Sequence, residues 1–266
     1  LLATFPAGCL LLATAWGAVG PNLLPRTLAL AIDACLVVIG GLLALAFSVL
    51  WNSSTLRGAR GLEGVNGSWL IPPTCLALVP IALWPLTVAY PEYARLFGLI
   101  GIVYLGAGFV MALMLLAAFV LRLVLHPNLA PALAPSMWVP LAPAGVLGIA
   151  AIRLASVSSA AGVVGSSLVL AAGVLAAFGL GFGVWWAMFA AVDLNRLRKI
   201  EPIDFQPGWW AFLFPPAALG LSFLLVQQVF EISQLTWLTL VVIVVLVLLW
   251  GYIAARSLPL LRSALR

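Results

Sequence analysis

The side chains that could do chemistry are few in this chain, and they are scattered. His126 is the only histidine; it stands before Pro127, with no cysteine or carboxylate cluster beside it. Zinc sites and Cys–His pairs need several such groups at close spacing, so no catalytic centre, metal or cofactor is expected. Cys9, Cys35 and Cys75 are odd in number, widely spaced and set among apolar residues. They read as small packing residues and not as a disulfide framework. Six of the seven acidic residues fall in or beside loops, and the seventh, Asp33, lies about two turns into an apolar run. If that run crosses a bilayer, its acid is a candidate for coupling to an ion, or else is packed against a neighbouring helix. Arg153 mirrors it near the far end of another run. It could collect anions at a mouth or simply snorkel to the interface.

The elements that carry these residues follow from composition. Of 266 residues, 65% are hydrophobic and only 7% are charged; mean hydropathy is +1.24. A soluble domain holds roughly 25% charged residues, so the chain reads as an all-α polytopic membrane protein. Runs of about 20 apolar residues span a bilayer, and eight occur, near 3–20, 27–51, 69–89, 96–121, 138–157, 165–191, 209–228 and 235–255. The short alternating segments of a membrane β-barrel are absent from this pattern. Sorted by loop, nine basic residues (Arg57, Arg60, Arg122, Arg196, Arg198, Lys199, Arg256, Arg262, Arg266) face Arg26, Arg95 and Arg153 on the other side. The positive-inside rule then puts the C-terminus in the cytoplasm of a cell whose inner membrane holds the chain. The net charge of +5 is read as a topology signal, so no nucleic-acid partner is expected. Eleven Arg against one Lys points to a bacterial source.

The odd-numbered runs share a second pattern. Each carries proline in its first half, at Pro6, Pro72, Pro143 and Pro215, with intervals of 66, 71 and 72 residues. Trp69, Trp138 and Trp209-Trp210 open three of them, as interfacial anchors do. Even-numbered runs have no proline before their cytoplasmic ends. The repeating unit is a hairpin of one proline-kinked and one straight helix, at roughly 1–51, 69–121, 138–191 and 209–255 of a single domain, 1–266. Units repeating in one orientation are related by an axis along the membrane normal, which predicts kinked helices inside and straight helices outside. Proline frees carbonyls that survive in a membrane only beside protein or a water-filled cavity. No odd run contains an acid, and a lining of freed backbone, small residues and aromatics favours small anions over cations.

The residues from Pro202 to Pro215, above all Trp209-Trp210-Ala211-Phe212-Leu213-Phe214-Pro215, resemble the penultimate-helix signature of the tellurite-resistance/dicarboxylate transporter family. That family takes in the plant slow-type anion channels and the bacterial tellurite-resistance permease. Leu141-Ala142-Pro143-Ala144, Trp69-Leu70-Ile71-Pro72 and Pro6-Ala7-Gly8 resemble its other odd-helix starts. The resemblance implies ten helices in five hairpins around a central pore, assembled as a homotrimer in the lipid bilayer. It also implies a pore-plugging phenylalanine, which falls on Phe214. Phe5 stands before its helix's proline as Phe214 does, so the repeat makes it a candidate second pore aromatic. Eight runs against ten predict that an N-terminal hairpin is missing. The function implied is passage of small inorganic anions or small carboxylates through a phenylalanine-gated pore. The alternative is a proton-coupled C4-dicarboxylate transporter or a sulfite/oxyanion exporter.

Overall fold

A computed structural model describes residues 4–57, 61–127, 129–160, 167–200 and 202–264. Of the basic residues sorted above, Arg60 and Arg266 lie outside this set. The elements among the described residues are all helices, with no strand among them. The α-helices are α1 (Thr4–Leu23), α2 (Arg26–Arg57), α3 (Ile71–Ala82), α4 (Trp84–Ala89), α5 (Ala94–Leu125), α6 (Leu141–Ala160), α7 (Ser167–Ile200), α8 (Phe214–Val229) and α9 (Thr236–Ala264). Seven stretches are long and apolar enough to cross a membrane. Seven of the eight expected runs are among them; the first is the 20-residue helix α1.

The hairpins pair as α1 with α2, α3/α4 with α5, α6 with α7, and α8 with α9. The first helices of the hairpins also pack in sequence, α1 on α3, α3 on α6, and α6 on α8, while α2, α5 and α7 each reach the next inner helix. Outer helices thus cover the seams of an inner row. The main core follows that row, from Leu10 and Ala13 through Leu76 and Leu78 to Val146, Ile149 and Leu225.

Burial grades along the row. The third span is 78% buried and α6 with its preceding turn is 61% buried, but the α8 span is only 28% buried, no more than the outer α5 span. α1 and α8 stand at the two ends and share no contact comparable to those between neighbours. The described inner helices therefore form an open row, and the expected ring is not closed by them.

The outer helices are longer than their apolar runs predicted. At about 1.5 Å per residue, the 32 residues of α2 and α5 reach roughly 48 Å, against a hydrocarbon core of about 30 Å. The surplus carries Arg122 on α5, Arg196 and Arg198 on α7, and Arg256 on α9. Each belongs to the C-terminal part of its helix, and those in the last turn complement the negative end of the dipole.

Candidate functional site

The prolines sit where α-helix begins. Pro72 and Pro73 occupy the first turn of α3, Pro215 and Pro216 that of α8, and Pro143 is the third residue of α6. Pro6 is the third described residue of α1. The first turn of a helix needs no intrahelical N–H, so proline is tolerated there. It also biases the residue before it away from α geometry. In three spans the preceding residues form 3-10 turns instead, at Gly67–Leu70, Pro131–Trp138 and Pro207–Phe212. In these three spans the helix type changes just before the proline, which stands at the start of the α-helical part.

The Pro131–Trp138 turn packs on each of the other two, which brings the three to one end of the molecule. Trp138 meets Phe212 across two of the turns at 5.8 Å, Trp51 of α2 meets Trp69 at 6.2 Å, and Trp209 meets Phe212 within the last turn at 5.6 Å. Trp186 Nε1 donates to the Met137 carbonyl at 2.7 Å, and Asn66 caps the first turn by accepting from the Ser68 N–H at 3.0 Å. The N-termini of α3, α6 and α8 accordingly gather at this end. Helix N-termini carry partial positive charge and favour anions.

Phe214 is the first residue of α8, part-buried and packed on the main core. Phe5 is 62% exposed on α1. The two lie on opposite end helices, and among the described residues no ring contact joins them. Arg153, on α6, holds its guanidinium 4.8 Å from the centre of the Trp84 ring. Beside it is a cavity of about 10 Å³, lined by Pro80, Leu83, Thr87 and, from α5, Phe97 and Gly98; that is room for roughly one water.

Asp33, on the outer helix α2, is 0% exposed. A β-carbon added at Gly17 of α1 would lie 3.3 Å from Asp33 Oδ2 and would strike the ring of Pro85 on α4. Neither carboxyl oxygen has a hydrogen-bond partner among the described residues. Gly17, Trp84 and Pro85 were not singled out by sequence. Pro80 and Pro85, five positions apart within one span, were the available signal, since they bracket the break between α3 and α4 at Leu83. His126 lies at the end of α5, 3.6 Å from Glu63, whose side chain is 79% exposed; such a surface pair contributes little.

With this geometry in place, comparison with known proteins decides the family. The model of the family described as voltage-dependent anion channel matches residues 1–258. The chain belongs to that family. Two relatives from Methanocaldococcus jannaschii, both described as uncharacterized transporters, are similar to it. One is 31% identical over 198 residues, covering 71% of this chain and 54% of the relative. The other is 33% identical over 177 residues, covering 64% and 48%. The chain spans about half the length of the curated relatives it matches. No solved structure matches it. As a member of this family, it is a multi-pass membrane protein.

Proposed function

We propose that the chain forms the wall of a pathway for small inorganic anions or small carboxylates, with Phe214 as its gate. The observation that carries this reading is the gathering of the α3, α6 and α8 N-termini at one proline-marked end. Three partial positive ends lie side by side there, and the α-helices behind them, α3, α6 and α8, carry no acid. Phe214 stands at that junction, at the first residue of α8. Arg153 would draw anions at the other end, and Phe5 would face the pathway from α1. The chain would act without catalysis, in the inner membrane, with its C-terminus cytoplasmic and as a homotrimer.

The row of inner helices also supports a further hairpin between α1 and α8. Leu12 and Val19 are 54% and 52% exposed on one side of α1, seven residues apart, and Leu221 is 45% exposed on α8. Apolar residues at heptad spacing are the kind of seam that another helix covers.

The test is conductance from the reconstituted protein. Phe214→Ala should raise chloride or nitrate current at least severalfold, because an aromatic plug becomes a methyl. An unchanged current in a folded variant removes the gate. The second reading, proton-coupled dicarboxylate transport or oxyanion export, is favoured by the inward place of Asp33. Uptake that collapses when the proton gradient is dissipated would put it first.

A further inference from the structure

We propose that Asp33 is a proton-binding site that latches the first hairpin to the broken third span. Its carboxyl is fully enclosed where α1, α2 and α4 meet, and both oxygens lack a partner among the described residues. Glycine at position 17 is what admits it: a methyl there would meet both Asp33 Oδ2 and the Pro85 ring. An unpaired carboxylate in such surroundings costs several kcal/mol or more, and buried acids escape that cost by taking up a proton.

Among the described residues no neighbouring charge supplies an alternative. α1 has no charged residue and only Cys9 as a titratable group; α3 has only Cys75, and α4 has none. On α2 itself, Arg26 is exposed seven residues away and Cys35 is exposed. Tyr104 of α5 meets α2 two turns deeper, donating its phenol to the Gly41 carbonyl at 3.2 Å. Arg153 of α6 is held over Trp84, and no ion pair joins it to Asp33. A metal cation would need six or so oxygen ligands, whereas neither Asp33 oxygen has a hydrogen-bond partner among the described residues. A proton adds no volume and needs no further ligand.

The latch follows from where the acid sits. α4 is a six-residue segment set off from α3 by the break at Leu83. A carboxylate formed at Asp33 must be hydrated, and the close approach of Pro85 to Gly17 beside it is the contact that hydration would part. Proton loss therefore loosens the α1–α4 contact, and proton retention keeps it closed. The same movement carries Trp84, the shelf under Arg153, so protonation would be felt at that end of the pathway. The proton site itself depends on this burial and not on which anion passes.

The full chain in lipid vesicles gives two separable readouts. Infrared spectra at neutral pH should show the C=O stretch of a protonated carboxylic acid, lost in Asp33→Asn and shifted in Asp33→Glu. A wild-type spectrum without that band overturns the proton site. In chloride-loaded vesicles, wild-type efflux should change severalfold between acidic and alkaline medium, while Asp33→Asn stays flat. An asparagine variant that keeps the wild-type pH response overturns the latch. Absence of chloride flux in every sample would count against the anion pathway, and the infrared arm would still decide the proton site.

Discussion

The guanidinium of Arg153 rests on an aromatic face, and among the described residues no carboxylate pairs with it. Stacking of this kind contributes about 0.5–2 kcal/mol and holds the head in place without consuming its charge. An unspent positive charge at one end of a row of acid-free helices raises the local concentration of anions. Arg153→Gln should therefore lower anion flux about tenfold at low salt, and the deficit should shrink as ionic strength rises past about 0.1 M, where screening acts within roughly 10 Å. Arg153→Lys should retain most of the flux. If the arginine merely packs, flux measured across a salt series will be the same in all three proteins. Both Arg153 and Asp33 were visible in the sequence, because a charge inside an apolar run stands out by type alone. Their partners were not. Trp84 and Gly17 are ordinary residues of apolar runs, and only packing between elements distant in sequence shows that one supports Arg153 and the other admits Asp33.

Between helices, backbone approach sets the tolerances. A β-carbon at Gly145 of α6 would lie 2.5 Å from the backbone carbonyl carbon of Ala218 on α8, and no side chain can swing away to relieve it. Gly106 on α5 has nothing within 4 Å. Gly145→Ala should cost about 1–3 kcal/mol, the range for overpacking a filled core, and should lower the Tm of the detergent-solubilised protein. Gly106→Ala should leave it unchanged or slightly higher, since alanine is the better helix former. Equal Tm values for both variants would mean that α6 and α8 do not pack as closely as described. The hairpin repeat was legible because proline and tryptophan recur at a near-constant interval and apolar runs have a bilayer's length. The 3-10 turns were not legible. Prolines near the start of an apolar run look the same whether they kink one helix or begin a second, and only the backbone before Ile71, Leu141 and Phe214 separates the two. Apolar runs likewise stop at the hydrocarbon boundary, so they under-reported α2, α5 and α7, whose ends continue as polar helix.

For the molecule as a whole, orientation decides what the gathered N-termini can do. The ends of α5, α7 and α9 that bear Arg122, Arg198 and Arg256 lie on the same side of the membrane as the 3-10 turns, because each hairpin reverses the chain once. One placement therefore satisfies two demands: basic residues in the cytoplasm, and the positive ends of α3, α6 and α8 facing the cytoplasmic anions. In a variant with Cys9, Cys35 and Cys75 replaced by alanine, a single cysteine at Asn195, exposed near the end of α7, reports one side. A single cysteine at Ser233, exposed in the turn between α8 and α9, reports the other. A membrane-impermeant thiol reagent should label Ser233→Cys in intact cells and Asn195→Cys only after permeabilisation. The opposite pattern would turn the helix N-termini outward. Arg153 would then face the cytoplasm, and the end of the pathway that collects anions would have to be reassigned together with the direction in which Phe214 meets them.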